Sequence, residues 1–333
     1  MSGVVGSRQL LRQGDNLSPS ALRIYGTCVP DSPEGSRGAV PPRLLITGSS
    51  GFVGQALIKR LVEQSLRLAT RADSTDWHEV VVGIKTVVHL AARVHVMHDS
   101  SSNPLTAYRA VNVDATLSLA RQAAAAGVGR FVFVSSVKVN GDETAYGQAF
   151  TEASAAAPQD AYGQSKHEAE LGLSLIGATT GMDVVIIRPP LVYGPGVKAN
   201  FAALMRVVQR GWPLPLGAVN NQRSLVALDN LVDFIVTCIT HPQAANQTFL
   251  VSDGQDLSTT ELVRGMAQAA VVTARLLPVP MWALQVGASL LGKSDAVQRL
   301  CGNLQVDISK ARKLLGWVPT VSVEEGLRRA MVV

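Results

Sequence analysis

Apolar residues along this chain gather into short, dense runs separated by longer mixed stretches. "LLITG" (44–48), "LRLAT" (66–70), "TVVHLAA" (86–92), "FVFVSS" (131–136), "DVVIIRPP" (183–190) and "TFLVSD" (248–253) are such runs. Short apolar runs bounded by turn residues read as strands buried on both faces. Most are separated by helical spacing, first of all in "SSGFVGQALIKRLVEQ", a glycine-punctuated turn that opens into an amphipathic helix. Alternation of this kind predicts a doubly wound parallel sheet with helices on both faces, an α/β fold. Residues 1–42 are different. Rich in Gly, Ser, Pro and Arg, without a sustained period or the apolar segment of a signal peptide, they are expected to form a tail outside the fold.

Composition narrows the classes. A chain of 333 residues, 47% hydrophobic and 17% charged, exceeds the usual single core and implies a large α/β unit with a smaller partner. The net charge of +5 is scattered, without basic runs or interleaved aromatics, which argues against a nucleic-acid partner. Cys28, Cys238 and Cys301 are far apart and form no CxxC pair, so a reducing, cytoplasmic setting is expected and a zinc site is not. His89, His95 and His98 lack the carboxylates or thiols that would complete a metal ligand set. "LLPVPMWALQVGASLLG" (276–292) is too short to span a bilayer and predicts a buried or groove-lining helix, with a membrane-surface role as the alternative.

Two motifs carry chemistry. Gly48, Gly51 and Gly54 sit between the first strand and first helix, where glycines let the backbone approach a pyrophosphate at a helix N-terminus. The end of the second strand then reads Thr70-Arg71, and a base there suits the 2′-phosphate of NADP, whereas an acid would suit NAD; Asp73 follows two residues later. The second motif is Tyr162-Gly-Gln-Ser-Lys166. Positions i and i+4 share a helix face, and a cation beside a phenol lowers its pKa towards the range of a working proton donor and acceptor.

These motifs have company: "HLAA" at 89–92, Asn112 in "VNVDAT", "FVSS", "RPPLVYGPG" at 188–196, Arg223 in "NQRSLVALDNLVD" and the closing "DISKARKLLGWVP". In order and approximate spacing they resemble the extended short-chain dehydrogenase/reductases, in particular the nucleotide-sugar branch of epimerases, 4,6-dehydratases and keto-sugar reductases. The resemblance covers nearly everything after Arg43. It implies a Rossmann-like dinucleotide-binding domain over residues 43–188 plus roughly 226–253, and a smaller nucleotide-sugar domain over 189–225 and 254–333.

Carried over by resemblance, Ser136, Tyr162 and Lys166 are the catalytic set, with Ser135 a structural neighbour bonded to backbone and Asn112 in the helix beside the site. Gly48, Ser50, Gly51, Phe52, Val53, Gly54, Arg71, Leu90, Ala91, Ala92, Tyr162, Lys166 and Pro189 line the cofactor, NADP or NAD. Ser136, Tyr162, Asn200 and Arg223 meet a UDP-sugar, with Arg223 suited to the diphosphate. Arg206 and Asp229 read more simply as a surface charge and a capping acid. The family's dehydratases place an Asp-Glu pair directly after the catalytic hydroxyl; here Val137 and Lys138 stand there, which argues against dehydration.

One departure matters. Only 14 residues separate Arg71 from Thr86, and most of them look helical, so the family's third strand has almost no room. The expected reaction is NAD(P)H-dependent reduction of the C4 ketone of a UDP-linked 4-keto-6-deoxy-N-acetylhexosamine for surface polysaccharide. The alternatives are a UDP-hexose or UDP-N-acetylhexosamine C4 epimerase with bound NAD, and a non-catalytic dinucleotide-binding scaffold. The family's helix pair equivalent to 104–127 and 162–177 forms a dimer interface, which implies a homodimer.

Overall fold

The computed structural model describes residues 44–61, 66–69, 76–94, 103–290, 292 and 294–331. The tail expected over 1–42 lies outside them. Eight strands appear: β1 (Leu44–Thr47), β2 (Leu66–Ala69), β3 (Thr86–His89), β4 (Arg130–Val134), β5 (Asp183–Arg188), β6 (Leu191–Tyr193), β7 (Leu225–Ala227) and β8 (Gln247–Leu250). Six form one parallel sheet in the order β2-β1-β3-β4-β5-β8, and β6 pairs with β7 in a small parallel sheet of its own.

Neighbouring strand residues face opposite sides, and both sides are buried. Ile46, Val88, Val132, Val185 and Ile187 join one apolar cluster, while Leu45, Val87, Phe131, Phe133, Val184 and Ile186 join another. This two-sided burial is why the strands read as unbroken apolar runs rather than as alternation.

The helices are α1 (Phe52–Arg60), α2 (His78–Val81), α3 (Pro104–Arg109), α4 (Thr116–Ala125), α5 (Ala161–Thr180), α6 (Ala199–Gln209), α7 (Leu228–Thr240), α8 (Thr259–Ala269), α9 (Met281–Leu290), α10 (Ser294–Cys301), α11 (Ser309–Leu315) and α12 (Val323–Met331). A π-helical turn, Ala110–Ala115, joins α3 to α4. Leu57 of α1, Leu231 and Phe234 of α7 and Leu315 of α11 cover one sheet face; Val80 of α2, Leu119 of α4 and Leu173 of α5 cover the other. A third cluster gathers Tyr193, Phe201, Leu225, Val263, Met266 and Leu327, drawn from β6, β7, α6, α8 and α12. The closing motif is anchored by Trp317, whose ring meets Phe234 at 4.8 Å while its indole N–H donates to Asp233 at 2.9 Å.

Among the described residues the main sheet stops at β2. "EVVVG", the other segment that could serve as a strand here, is largely helical: His78–Val81 is α2, with Trp77, Val80 and Val81 buried under the sheet. The last sequence expectation to change is the 276–292 segment. Only one side of α9 is buried; Trp282, Val286 and Leu290 are exposed.

Candidate active site

Strands β1 and β3 lie side by side while their connections run to opposite sides of the sheet, which opens a crevice at their C-terminal ends. The glycine loop fills the β1 side of it. Gly48 leaves the strand with φ of +69°, and a Cβ there would sit 2.6 Å from the Ala91 nitrogen; at Gly54 a Cβ would sit 2.2 Å from the Gly48 carbonyl oxygen. Only glycine permits this contact of loop, helix and β3 end. Gly51 donates to that same carbonyl at 2.9 Å and caps α1 without a side-chain partner, and no acid occupies the first turn. The first-turn amides thus meet no acid of their own helix, and the residues fit a dinucleotide pyrophosphate. Ser50 is exposed, and Phe52 and Val53 are half-buried against the core. Leu90 is tied to β1 by its N–H, 3.2 Å from the Thr47 carbonyl, with Ala91 and Ala92 following.

The end of β4 supplies the next group. Ser136 has extended backbone and caps a single 3-10 turn, Val137–Val139, its hydroxyl accepting from the Lys138 N–H at 3.2 Å. The α5 helix starts at the Asp160 cap, which accepts from Gly163 at 2.7 Å, and so brings Tyr162 and Lys166 to the same place. The Ser136 hydroxyl also acts on the Tyr162 phenol, favouring its ionised form. Pro189, at the end of β5, accepts the Val137 N–H at 3.0 Å and closes this corner.

Lys166 is 2% exposed; its ammonium donates to the Val134 carbonyl at 2.9 Å and lies 4.4 Å from the centre of the Phe133 ring. Burial pushes its pKa down to about 7, partly opposed by the Glu170 carboxylate. Tyr162 moves the other way: desolvation raises its pKa, Asp160 adds to the rise, and the Ser136 hydroxyl opposes it. The expected lowering of the phenol pKa by Lys166 is therefore absent, because the ammonium is turned to Val134 and Phe133. Asn112 lies in the π-helical turn, 1% exposed, donating to Ser165 Oγ at 2.9 Å and to the Arg93 carbonyl at 3.1 Å, and accepting the Arg93 N–H at 2.8 Å. Ser165 in turn donates to the Tyr162 carbonyl at 2.8 Å.

Ser135 departs from its expected backbone bond: its hydroxyl donates to Glu170 Oε1 at 2.5 Å. Glu170 also takes a two-bond ion pair from Arg188, at 3.0 and 2.5 Å, and Arg188 reaches Asn140 at 3.1 Å. This buried network, which braces the β4 end, was not singled out from the sequence. Its signal was the i+4 spacing of Lys166 and Glu170 on one helix. His89 is fully buried, its two ring nitrogens 2.8 Å from Thr47 Oγ1 and 2.9 Å from Thr116 Oγ1. Burial, with Lys166 nearby, holds its pKa down at about 3.

The expected sugar contacts lie on other elements. Asn200 is exposed at the start of α6. Arg223 is half-buried, its guanidinium donating to the Gly302 carbonyl at 2.9 Å; burial lowers its pKa, and Glu143 and Asp142 attract it. Arg206 is a surface charge on α6, as expected. Asp229 is no cap: it pairs with Arg329 at 2.5 Å. Arg71 lies outside the described residues. Lys138, at the second position of the dehydratase pair, is ion-paired to Asp160 at 2.6 Å and Asp142 at 3.0 Å, and Val137 is buried.

Residues 44–252 match the model of the NAD dependent epimerase/dehydratase family. The chain belongs to that family. Among its relatives is a UDP-glucose 4-epimerase of Vibrio cholerae, 49% identical over 310 residues that span 87% of this chain and 94% of the relative. An N-acetyl-alpha-D-glucosaminyl-diphospho-ditrans,octacis-undecaprenol 4-epimerase of Escherichia coli O157:H7 is 27% identical over 324 residues, 86% of this chain and 94% of that one. The fold is shared with the UDP-glucose 4-epimerase of Thermotoga maritima solved with UDP-glucose, at a TM-score of 0.69 and 20% identity over 87% of this chain and 97% of that one. It is shared equally with RMD of Pseudomonas aeruginosa solved with NADPH, at 0.69 and 21%, over 87% and 98%. Membership in the epimerase/dehydratase family makes this a nicotinamide-dependent enzyme, an oxidoreductase or a C4 epimerase.

Proposed function

We propose that the protein is a C4 epimerase of a UDP-hexose or UDP-N-acetylhexosamine, using bound NAD. The observation that carries this reading is the 49% identity with a UDP-glucose 4-epimerase along 94% of that protein's length. The crevice supports it. The Gly48–Gly54 loop, Leu90–Ala92 and Pro189 would hold the dinucleotide, with Lys166 beneath it at the end of β4. A bound nicotinamide supplies hydride acceptance and return at sugar C4. The chain's own residues handle the proton and the sugar: Tyr162, once its phenol has released its own proton to solvent, takes the proton from the 4-hydroxyl and later returns it, and Ser136 donates a hydrogen bond to the same oxygen. Arg223 and Asn200 would hold the diphosphate far from the ring, which leaves the hexose able to turn between its two faces. Val137 in the core and Lys138 locked to Asp160 and Asp142 offer no acid and base for dehydration.

The second reading is a 4-keto-6-deoxy-N-acetylhexosamine reductase, favoured by Arg71, a base where NADP enzymes need one. One experiment separates them. The purified protein is incubated with UDP-glucose and with UDP-N-acetylglucosamine without added reductant, and the sugar signals are followed by NMR. Appearance of the axial 4-epimer from either substrate is expected. No epimer, together with stoichiometric NADPH consumption on the UDP-4-keto-6-deoxy sugar, would replace the epimerase reading with the reductase.

A further inference from the structure

Helix α9 is mostly apolar, with Gln285 and Ser289 as its polar positions, yet only one side of it is covered. Met281 and Leu284 pack inward, against the cluster of Tyr193, Phe201 and Met266, and Ala288 is buried. Trp282, Val286 and Leu290, four residues apart along the opposite side, are 68%, 54% and 83% exposed. The chain just before the helix extends this face. Leu277, 51% exposed, donates its N–H to Leu214 at 2.8 Å, and Leu214 donates to the Arg275 carbonyl at 2.8 Å, which sets Trp212, 57% exposed, beside the same edge. Two of the four tryptophans thus point to solvent, whereas Trp77 and Trp317 are buried. A row of large exposed apolar side chains this long marks a binding face.

Charge identifies what it binds. The sequence contains no Asp or Glu from 184 to 228 or from 262 to 294, the two stretches that build this face. Basic residues do occur in them: exposed Arg210 lies with its guanidinium 5.7 Å from the Trp212 ring centre, and exposed Arg275 adjoins Leu277. A second copy of the chain, packed about a two-fold axis on this face, would set arginine against arginine without an acid to pair them. Tryptophans and leucines flanked by arginines instead match the acyl boundary and phosphate layer of an anionic bilayer. We infer that the α9 face, with Trp212, Leu277, Trp282, Val286, Leu290, Arg210 and Arg275, docks the enzyme on the surface of a membrane rich in anionic phospholipid. The attachment is peripheral, since no helix among the described residues is long and apolar enough to span a bilayer.

The test does not depend on the substrate. The full chain is sedimented with sucrose-loaded phosphatidylcholine vesicles with and without about one-third phosphatidylglycerol. Binding to the anionic vesicles, weakened about tenfold or more by Trp282→Ser with Leu290→Ser, and similarly by Arg210→Gln with Arg275→Gln, is expected. Quenching of wild-type tryptophan fluorescence by brominated acyl chains should accompany it, reporting the two exposed indoles without any substitution. Unchanged thermal melting of the variants shows that they fold. No sedimentation of the wild type, equal binding of either double variant, or equal binding to vesicles lacking phosphatidylglycerol would each overturn the inference.

Discussion

Single residues carry two opposed titrations within one helix turn of each other. Burial brings the Lys166 pKa down to about 7 and pushes that of Tyr162 up, which favours the neutral form of each. Tyr162→Phe should lower turnover by about 10²–10⁴-fold while leaving the melting temperature within a few degrees, measured by steady-state kinetics and circular dichroism. His89 gives a prediction about stability. Its folded pKa is depressed, so the neutral ring is the folded form; its contribution is complete above about 6.5 and is lost as pH falls towards about 3. Between pH 7.5 and pH 5 the wild type should therefore lose about 2 kcal/mol more in urea unfolding than His89→Gln, whose side chain does not titrate.

At the scale of elements, the glycine loop is the least tolerant part of the crevice. Gly54→Ala places a methyl against backbone, not against a yielding side chain, and should cost about 1–3 kcal/mol and weaken NADH binding at least tenfold, read by melting and by nucleotide fluorescence titration. This loop, the strands and the Tyr162–Lys166 helix were legible in the sequence because each depends on local spacing: glycines at a strand end, apolar runs, an i+4 pair. What lay beyond reach depends on contacts between distant segments. Ser135 meeting Glu170, Lys138 taken by Asp160, and Arg223 resting on the Gly302 carbonyl are set by how β4, α5 and the 302 turn approach one another. The exposed side of α9 is hard to read for a related reason, since a stretch this apolar, broken only by Gln285 and Ser289, predicts burial.

At the scale of the molecule, α5 still has an open face. Leu171 and Leu175, one turn apart, are 59% and 65% exposed on a helix whose other side is core. The homodimer inferred from the family would cover them, and Leu171→Glu with Leu175→Glu should halve the mass found by light scattering at micromolar concentration; an unchanged mass would place the contact elsewhere. The sheet itself has a second open margin. Among the described residues β2 and β8 are the edge strands, and the outer row of backbone donors and acceptors on each makes no ladder pairing at the rim of the parallel sheet. During refolding from denaturant that rim competes with correct closure by recruiting strands from other molecules. Recovery of active enzyme should fall as protein concentration rises, and light scattering during dilution should rise with it.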